Sequence, residues 1–289
     1  MANARRRWSG ALGAAVALFV LAAACGGSGG GEAASPLPSK SRNHRIGRRQ
    51  AGRIRRGANR FNPAPAAAPT APNGGVTIPK SAFQPNTWGY VGCSNTHDTI
   101  WGYEQLSVSS HLFWPFDGYE IEGTTVAMWA DPNDPRWAKF DREMREFDAG
   151  SSPPVVWFQM CESLDPSTRS FHSTTFGDVK AALDNLKQHA GGAIVFISPL
   201  QSYDPPTLCP WMGANGVAVA DLTDLANQAV DQGLAQPGPG VGGNPNLGPL
   251  TESLIYTKDD CHPSGGPHGP GPGAEFLGQQ LHEFFDTMK

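Results

Sequence analysis

The chain has 289 residues, enough for one or two domains, and 39% of them are hydrophobic, as a soluble core requires. Its net charge of −4 conceals two opposed parts: 13 of the 22 Lys and Arg precede residue 81, where Glu32 is the one acid, which leaves 9 basic against 25 acidic residues, a net of −16, for the rest. A surplus of acid on that scale argues against nucleic-acid binding through the folded part.

The first 25 residues read as a targeting segment. Arg5-Arg6-Arg7 is a positive n-region, and Ala11 to Ala23 is an apolar stretch of about 13 residues, too short to span a bilayer comfortably. Leu21-Ala22-Ala23-Ala24-Cys25 resembles the lipobox of bacterial lipoproteins, with small residues ahead of a cysteine. That resemblance implies a mature chain beginning at a lipidated Cys25, anchored to a membrane of the cell envelope. An ordinary secretory signal is the other reading, and either one delivers the chain outside the cytoplasm.

Residues 26–84 read as a tether. Gly26 to Gly31 is flexible, Lys40 to Arg60 carries a basic run, and Pro63 to Pro72 is rich in Pro and Ala. Apolar residues are too few here to offset the ordering entropy. About 55 flexible residues reach roughly 40 Å. The arginines suit either anionic headgroups or plain solvation.

Residues 85–289 are expected to form one domain. A short aromatic and β-branched run, Trp88 to Val91, reads as a strand that stops at Gly92. Ser94 follows at the turn, and Asn95 or Thr96 would cap the next helix. Gly118 to Glu122 reads as a second strand ending at Gly123. Asp134-Pro135 opens a helix whose inner stripe is Trp137, Phe140, Met144 and Phe147. Val155 to Phe158 is a continuous apolar run, suited to a strand covered on both faces. A helix with Val179, Leu183 and Leu186 inside leads to a fourth strand, Ile194 to Ile197. Val219, Leu222, Ala226 and Ala229 mark another helix. Gln236 to Asn246 is expected to be a long connection before a short fifth strand near Leu247 to Leu250, and Phe276, Leu277, Leu281 and Phe284 line the last helix. Alternation of this kind predicts a three-layer α/β/α sandwich around a five-stranded, mainly parallel sheet, flavodoxin-like in layout. Ligands then bind beyond the carboxyl ends of the strands, where Ser94, Gly123, Gln159 and the loop bearing His262 are expected to meet.

Two motifs carry the chemistry. Gly92-Cys93-Ser94 in a strand–turn–helix setting presents a serine hydroxyl at a helix start, although Ser is also an ordinary turn residue. Asp259-Asp260-Cys261-His262-Pro263 contains Asp-x-x-His, which can set a carboxylate beside an imidazole, the base and orienting group that a serine nucleophile needs. The order Ser…Asp…His, with the pair just before a C-terminal helix, resembles the SGNH (GDSL-like) hydrolase superfamily over roughly residues 85–289. The resemblance implies Ser94 as nucleophile, His262 as base and Asp259 as orienting acid, with Asp260 the rival for that last role. It also implies an oxyanion hole from the Ser94 amide, Gly123 and a third donor. The family's Gly-x-Asn-Asp reads Gln159-Met160-Cys161-Glu162 here, and Gln159 is the expected substitute. His97 and Asp98, close to Ser94, are an alternative base, but on the helix after Ser94 they are expected to point away. His268 is expected at the surface or at a substrate rim. Trp101, Tyr103, Phe113, Trp114 and Phe116 suit either core packing or stacking on sugars.

Setting Cys25 aside, four cysteines remain, and an oxidising compartment allows three pairings. Cys161 and Cys209 follow neighbouring strands, so a Cys161–Cys209 bridge is expected, with Cys93 and Cys261 either bridged or free. No Cys or His spacing predicts a metal site, and no cofactor is expected. Two functional classes follow. One is a serine esterase or carbohydrate deacylase acting on small-molecule or carbohydrate esters. The other is a non-catalytic binding lipoprotein of the same fold.

Overall fold

Short buried runs of β-branched and aromatic residues make the sheet. In the computed structural model, which describes residues 76–116, 124–162, 174–209, 215–258 and 261–289, the strands β1 (Gly89–Val91), β2 (Val155–Gln159) and β3 (Ile194–Ser198) pair in parallel in that order. β4 (Tyr203–Asp204) leaves the sheet, and β5 (Gln236–Pro237) returns to pair with Phe196 and Ile197. β6 (Leu250–Thr251) pairs with β4 in a separate two-stranded sheet. The protein is thus α/β with a parallel main sheet, of four strands rather than five among the described residues. The expected second strand, Gly118 to Glu122, lies outside the described residues, as do residues 1–75 with Cys25.

Two expectations about the carboxyl-terminal strands are corrected. The run near Leu247 to Leu250 contributes its last residue to the small sheet, not to the main one. The fourth strand of the main sheet comes instead from the Pro/Gly-rich stretch expected to be a connection. It is two residues long and includes Pro237, which has no N–H to give, so it suits a sheet edge and leaves no hydrophobic periodicity to read.

Helices cover both faces of the sheet. Trp88, Tyr90, Trp157 and Phe196 share one face by register and alternation. Phe285 of α6 (Gly273–Asp286) meets Trp88 and Phe196 edge-on at centroid distances of 5.3 and 5.4 Å, with Phe113 between them and Trp157. On the opposite face the backbone of Gly89 lies against the Trp114 ring, and Trp114 packs on Phe140 of α3 (Pro135–Phe147) at 5.1 Å. The α3 start is as the sequence predicts, with Asp134 accepting from the Arg136 amide and Pro135 at the first position. α4 (Phe176–His189) begins with a capping box between Thr175 and Asp178 and buries Val179, Leu183 and Leu186. α5 (Asn215–Asp231) buries Leu222, Ala226 and Ala229. A short helix, α2 (Val126–Ala130), packs on α4.

The helix that begins at Ser94, α1 (Ser94–Glu104), crosses α6 at two glycines. A Cβ on Gly102 would sit 1.8 Å from the Ala274 carbonyl oxygen, and one on Gly278 would sit 2.2 Å from the Tyr103 amide nitrogen. Backbone meets backbone there, which draws α1 against the segment that precedes α6. Among the described residues no helix is long and apolar enough to cross a membrane.

Candidate active site

Ser94 is the first residue of α1, with Cys93 as N-cap. The turn is tight: a Cβ on Gly92 would meet the Thr96 hydroxyl oxygen at 2.0 Å and the Gln159 carbonyl oxygen at 3.0 Å. Only glycine fits without moving β2. The Gly92 carbonyl accepts from the indole N–H of Trp129 at 2.8 Å, and the Cys93 amide donates to Thr96 Oγ1 at 2.9 Å. Ser94 therefore rests on a fixed turn, where the first amides of a helix have no intrahelical acceptor and the dipole favours negative charge.

His262 comes from the other end of the chain and meets this serine. Its Nε2 lies 2.7 Å from Ser94 Oγ, both side chains half-buried, across 168 residues of sequence. If the hydroxyl donates, Nε2 carries the lone pair and is poised to take the proton. The loop under His262 is anchored on both sides. The Tyr256 amide donates to the His262 carbonyl and the Ser264 amide to the Leu254 carbonyl, each at 2.8 Å, and the Ala274 amide at the start of α6 donates to the Ser264 carbonyl at 2.8 Å. Asp259 and Asp260 lie outside the described residues, and so does Gly123.

A buried polar chain joins the two halves of this site. Thr96 Oγ1 donates to Gln159 Oε1 at 2.7 Å, and Gln159 Nε2 donates to Gln201 Oε1 at 3.3 Å. Gln201 Nε2 in turn donates to Asn95 Oδ1 at 2.7 Å and to the Tyr203 hydroxyl at 2.9 Å. Tyr203 donates onward to the Cys261 carbonyl at 2.6 Å. The chain therefore begins at residues flanking Ser94 and ends at the residue before His262. Gln159 is 0% exposed, with both ends of its amide engaged inside the protein. Gln159, the expected third oxyanion donor, is here a buried link in this network.

The disulfides differ from the expected Cys161–Cys209 pair. Cys93 is bridged to Cys161, and Cys209 to Cys261. The reason is topological. β1 and β2 are neighbours, with Val91 opposite Phe158, so Cys93 and Cys161 emerge side by side, their Cα atoms 6.1 Å apart. Beyond β3 the chain enters β4 of the small sheet, which carries Cys209 to the histidine loop, 4.2 Å from Cys261 between Cα atoms. One bridge thus abuts Ser94 and the other abuts His262.

Two further residues lie beside this pair. Asp98 is four residues after Ser94, hence on the same face of α1. It is 1% exposed, and its Oδ2 lies 3.4 Å from His268 Nε2. His268, expected at the surface or at a substrate rim, stacks on His262 with centroids 4.0 Å apart and planes 7° from parallel. His97 does turn away, donating through Nε2 to the Phe116 carbonyl at 3.1 Å and stacking on that ring. The Asp98 position was legible from its four-residue spacing. No local signal marked His268, Gln201 or Tyr203, which only the folded path of the loops brings in. Of the flanking aromatics, Tyr103, Phe113 and Trp114 are core. Burial pushes the Tyr103 phenol up to about 12, with the hydrogen bond from the Leu112 amide pulling the other way.

No protein-family model matches the chain, and neither the curated proteins nor the solved structures contain a significant match.

Proposed function

We propose that this protein is an extracytoplasmic serine ester hydrolase of SGNH-like type, an esterase or carbohydrate deacylase working through an acyl-enzyme on Ser94. The observation that carries the reading is the 2.7 Å approach of His262 Nε2 to Ser94 Oγ from opposite ends of the domain. A hydroxyl–imidazole pair at a helix start, beyond the carboxyl edge of a parallel sheet, suits nucleophilic acyl transfer.

In the proposed reaction Ser94 Oγ attacks the ester carbonyl while His262 takes its proton. The imidazolium then protonates the departing alkoxide, and an alcohol leaves. His262 next deprotonates a water that attacks the acyl-enzyme, releasing the carboxylic acid and restoring the serine. Asp259 is the orienting acid in this reading. The amides of Ser94 and Gly123 are the oxyanion donors in this reading, and the dipole of the helix that starts at Ser94 adds to the first. No cofactor takes part. Two disulfides fit an oxidising compartment, in keeping with a lipid anchor at Cys25 in the cell envelope and a small-molecule or carbohydrate ester as substrate.

One observation favours the second class, a non-catalytic binding lipoprotein. The place of the family's oxyanion asparagine is held by residues committed elsewhere, with Gln159 in the internal network and Cys161 in a bridge. Hydrolysis of a short-chain nitrophenyl ester, abolished by Ser94→Ala, separates the two classes. So does covalent labelling of Ser94 by an organophosphonate. If neither occurs in the folded, oxidised protein, the binding reading replaces the hydrolase.

A further inference from the structure

Asp98, His262 and His268 bring one carboxylate oxygen and two ring nitrogens within 4.8 Å of one another, a grouping that invites a metal ion. The ring geometry speaks against one. Imidazole lone pairs lie in the ring plane, and these planes are 7° from parallel with centroids 4.0 Å apart. An ion shared between them would sit about 2 Å out of each plane, while a Zn–N bond is itself only about 2.0–2.1 Å. In-plane coordination of one ion by both rings is therefore not available without turning a ring away from Ser94 or from Asp98.

The same geometry fits another task. We propose that Asp98 and His268 form a second carboxylate–imidazole pair that buttresses the base: Asp98 holds His268 through Nε2, and the flat face of His268 keeps the His262 ring in the plane from which Nε2 meets Ser94 Oγ. His268 is then a positioning residue and touches no reacting atom. Three facts converge on this. Asp98 is buried on the Ser94 face of α1, so it is fixed by the same helix that fixes the nucleophile. His268 lies at the end of a 3-10 turn, Gly266–His268, whose loop is closed by the Gly265 amide donating to the Gly269 carbonyl at 2.8 Å. The Tyr256 ring stands near His268 at 5.9 Å, tilted by 53°, which limits its movement. An imidazole that must accept, hold and return a proton in successive steps gains from a ring that cannot tip between them.

This inference rests on the hydrolase reading, and its test keeps the two apart. The full chain is compared with His268→Ala, which removes the ring, and with His268→Phe, which keeps a flat face but no contact with Asp98. Turnover of a nitrophenyl ester, phosphonate labelling of Ser94, and carbon-13 relaxation of the His262 ring are measured on each. The Ala variant is expected to lose roughly 10–100-fold in kcat with KM nearly unchanged, to label more slowly, and to show a mobile His262 ring. The Phe variant, which keeps the face without the Asp98 contact, is expected to recover only part of each, and full recovery would overturn the role given to Asp98. A His262 ring equally ordered in both variants overturns the buttress, as does a loss confined to KM, which would mark His268 as a substrate contact. Stoichiometric zinc binding by the metal-free chain that disappears in His268→Ala also overturns it, in favour of a metal site. If the wild-type chain neither turns over nor labels, the hydrolase reading fails, and the relaxation comparison still decides whether His268 holds His262.

Discussion

Replacing Tyr203 by Phe removes one oxygen from the buried link between the Ser94 turn and the His262 loop. That hydroxyl accepts from Gln201 Nε2 at 2.9 Å and donates to the Cys261 carbonyl at 2.6 Å, and Tyr203 and Cys261 are 3% and 4% exposed. The mutant ring edge can neither accept nor donate, and the burial leaves little room for water to replace the oxygen. Two buried polar groups lose this partner at about 1–3 kcal/mol each, so a loss of about 2–6 kcal/mol is expected. At roughly 2–4 °C per kcal/mol for a domain of this size, the melting temperature should fall by about 4–24 °C. Activity should suffer less. The His262 loop keeps its Cys209–Cys261 bridge and its backbone bonds to Tyr256 and Leu254, so kcat at a temperature where the variant is folded should stay within about tenfold. Thermal unfolding by circular dichroism and ester turnover on the same sample measure both. A melting temperature lowered by less than about 2 °C would mean that the network is solvated or redundant, and the account of how the two halves of the site are joined would be wrong.

Other consequences concern the covalent, steric and electrostatic frame. Converting Cys93 and Cys161 together to Ala opens a 68-residue loop, worth about 4 kcal/mol on the chain-entropy estimate, and frees the turn before Ser94; chemical denaturation should show the lost stability, and phosphonate labelling should slow. Gly102→Ala drives a methyl group into the Ala274 carbonyl, and because the obstacle is backbone the helices must part. A loss of at least about 1–3 kcal/mol is expected from denaturation curves, while an unchanged midpoint would contradict the close α1–α6 crossing. Asp148 has its carboxyl pushed from 3.8 up to about 6 by burial, partly offset by the hydrogen bond from the Trp114 indole. The folded state thus holds that proton more tightly than the unfolded state. The carboxyl contributes stability below about pH 4 that is lost as pH rises towards about 6, beyond which the buried charge is a net cost. Asp148→Asn keeps an acceptor for Trp114 and should raise the melting temperature near pH 8 but hardly change it near pH 3.5, both pH values being approximate choices on either side of the transition. The reverse pattern would mean that the carboxylate is stabilised in the fold.

The strands β1, β2 and β3, the helices with a clear apolar stripe, and the cap at Asp134 were legible because each is specified by neighbours a few residues away. Ser94 and His262 could be nominated because acyl-transfer chemistry needs a hydroxyl and an imidazole in recognisable local settings. The Asp259 and Gly123 assignments are readings of motif alone, since both lie outside the described residues. Where sequence reading failed, it failed over distance. The disulfide partners were decided by which strand ends emerge together, and β5 by an edge pairing that two residues cannot announce.

What composition and local pattern determined, then, is the α/β class, the parallel strands and the residue types of the chemistry, since propensity, capping and burial period act over a few residues. Which side chains meet was left to the tertiary structure. The contact of His262 with Ser94, the ring of His268 laid on it, and the link through Gln201 and Tyr203 depend on where the loops come to rest after β3 and before α6. The contacts that close the site span 58, 106 and 168 residues. Their free energy exists only once the whole core has closed, so no short window of the sequence can encode them.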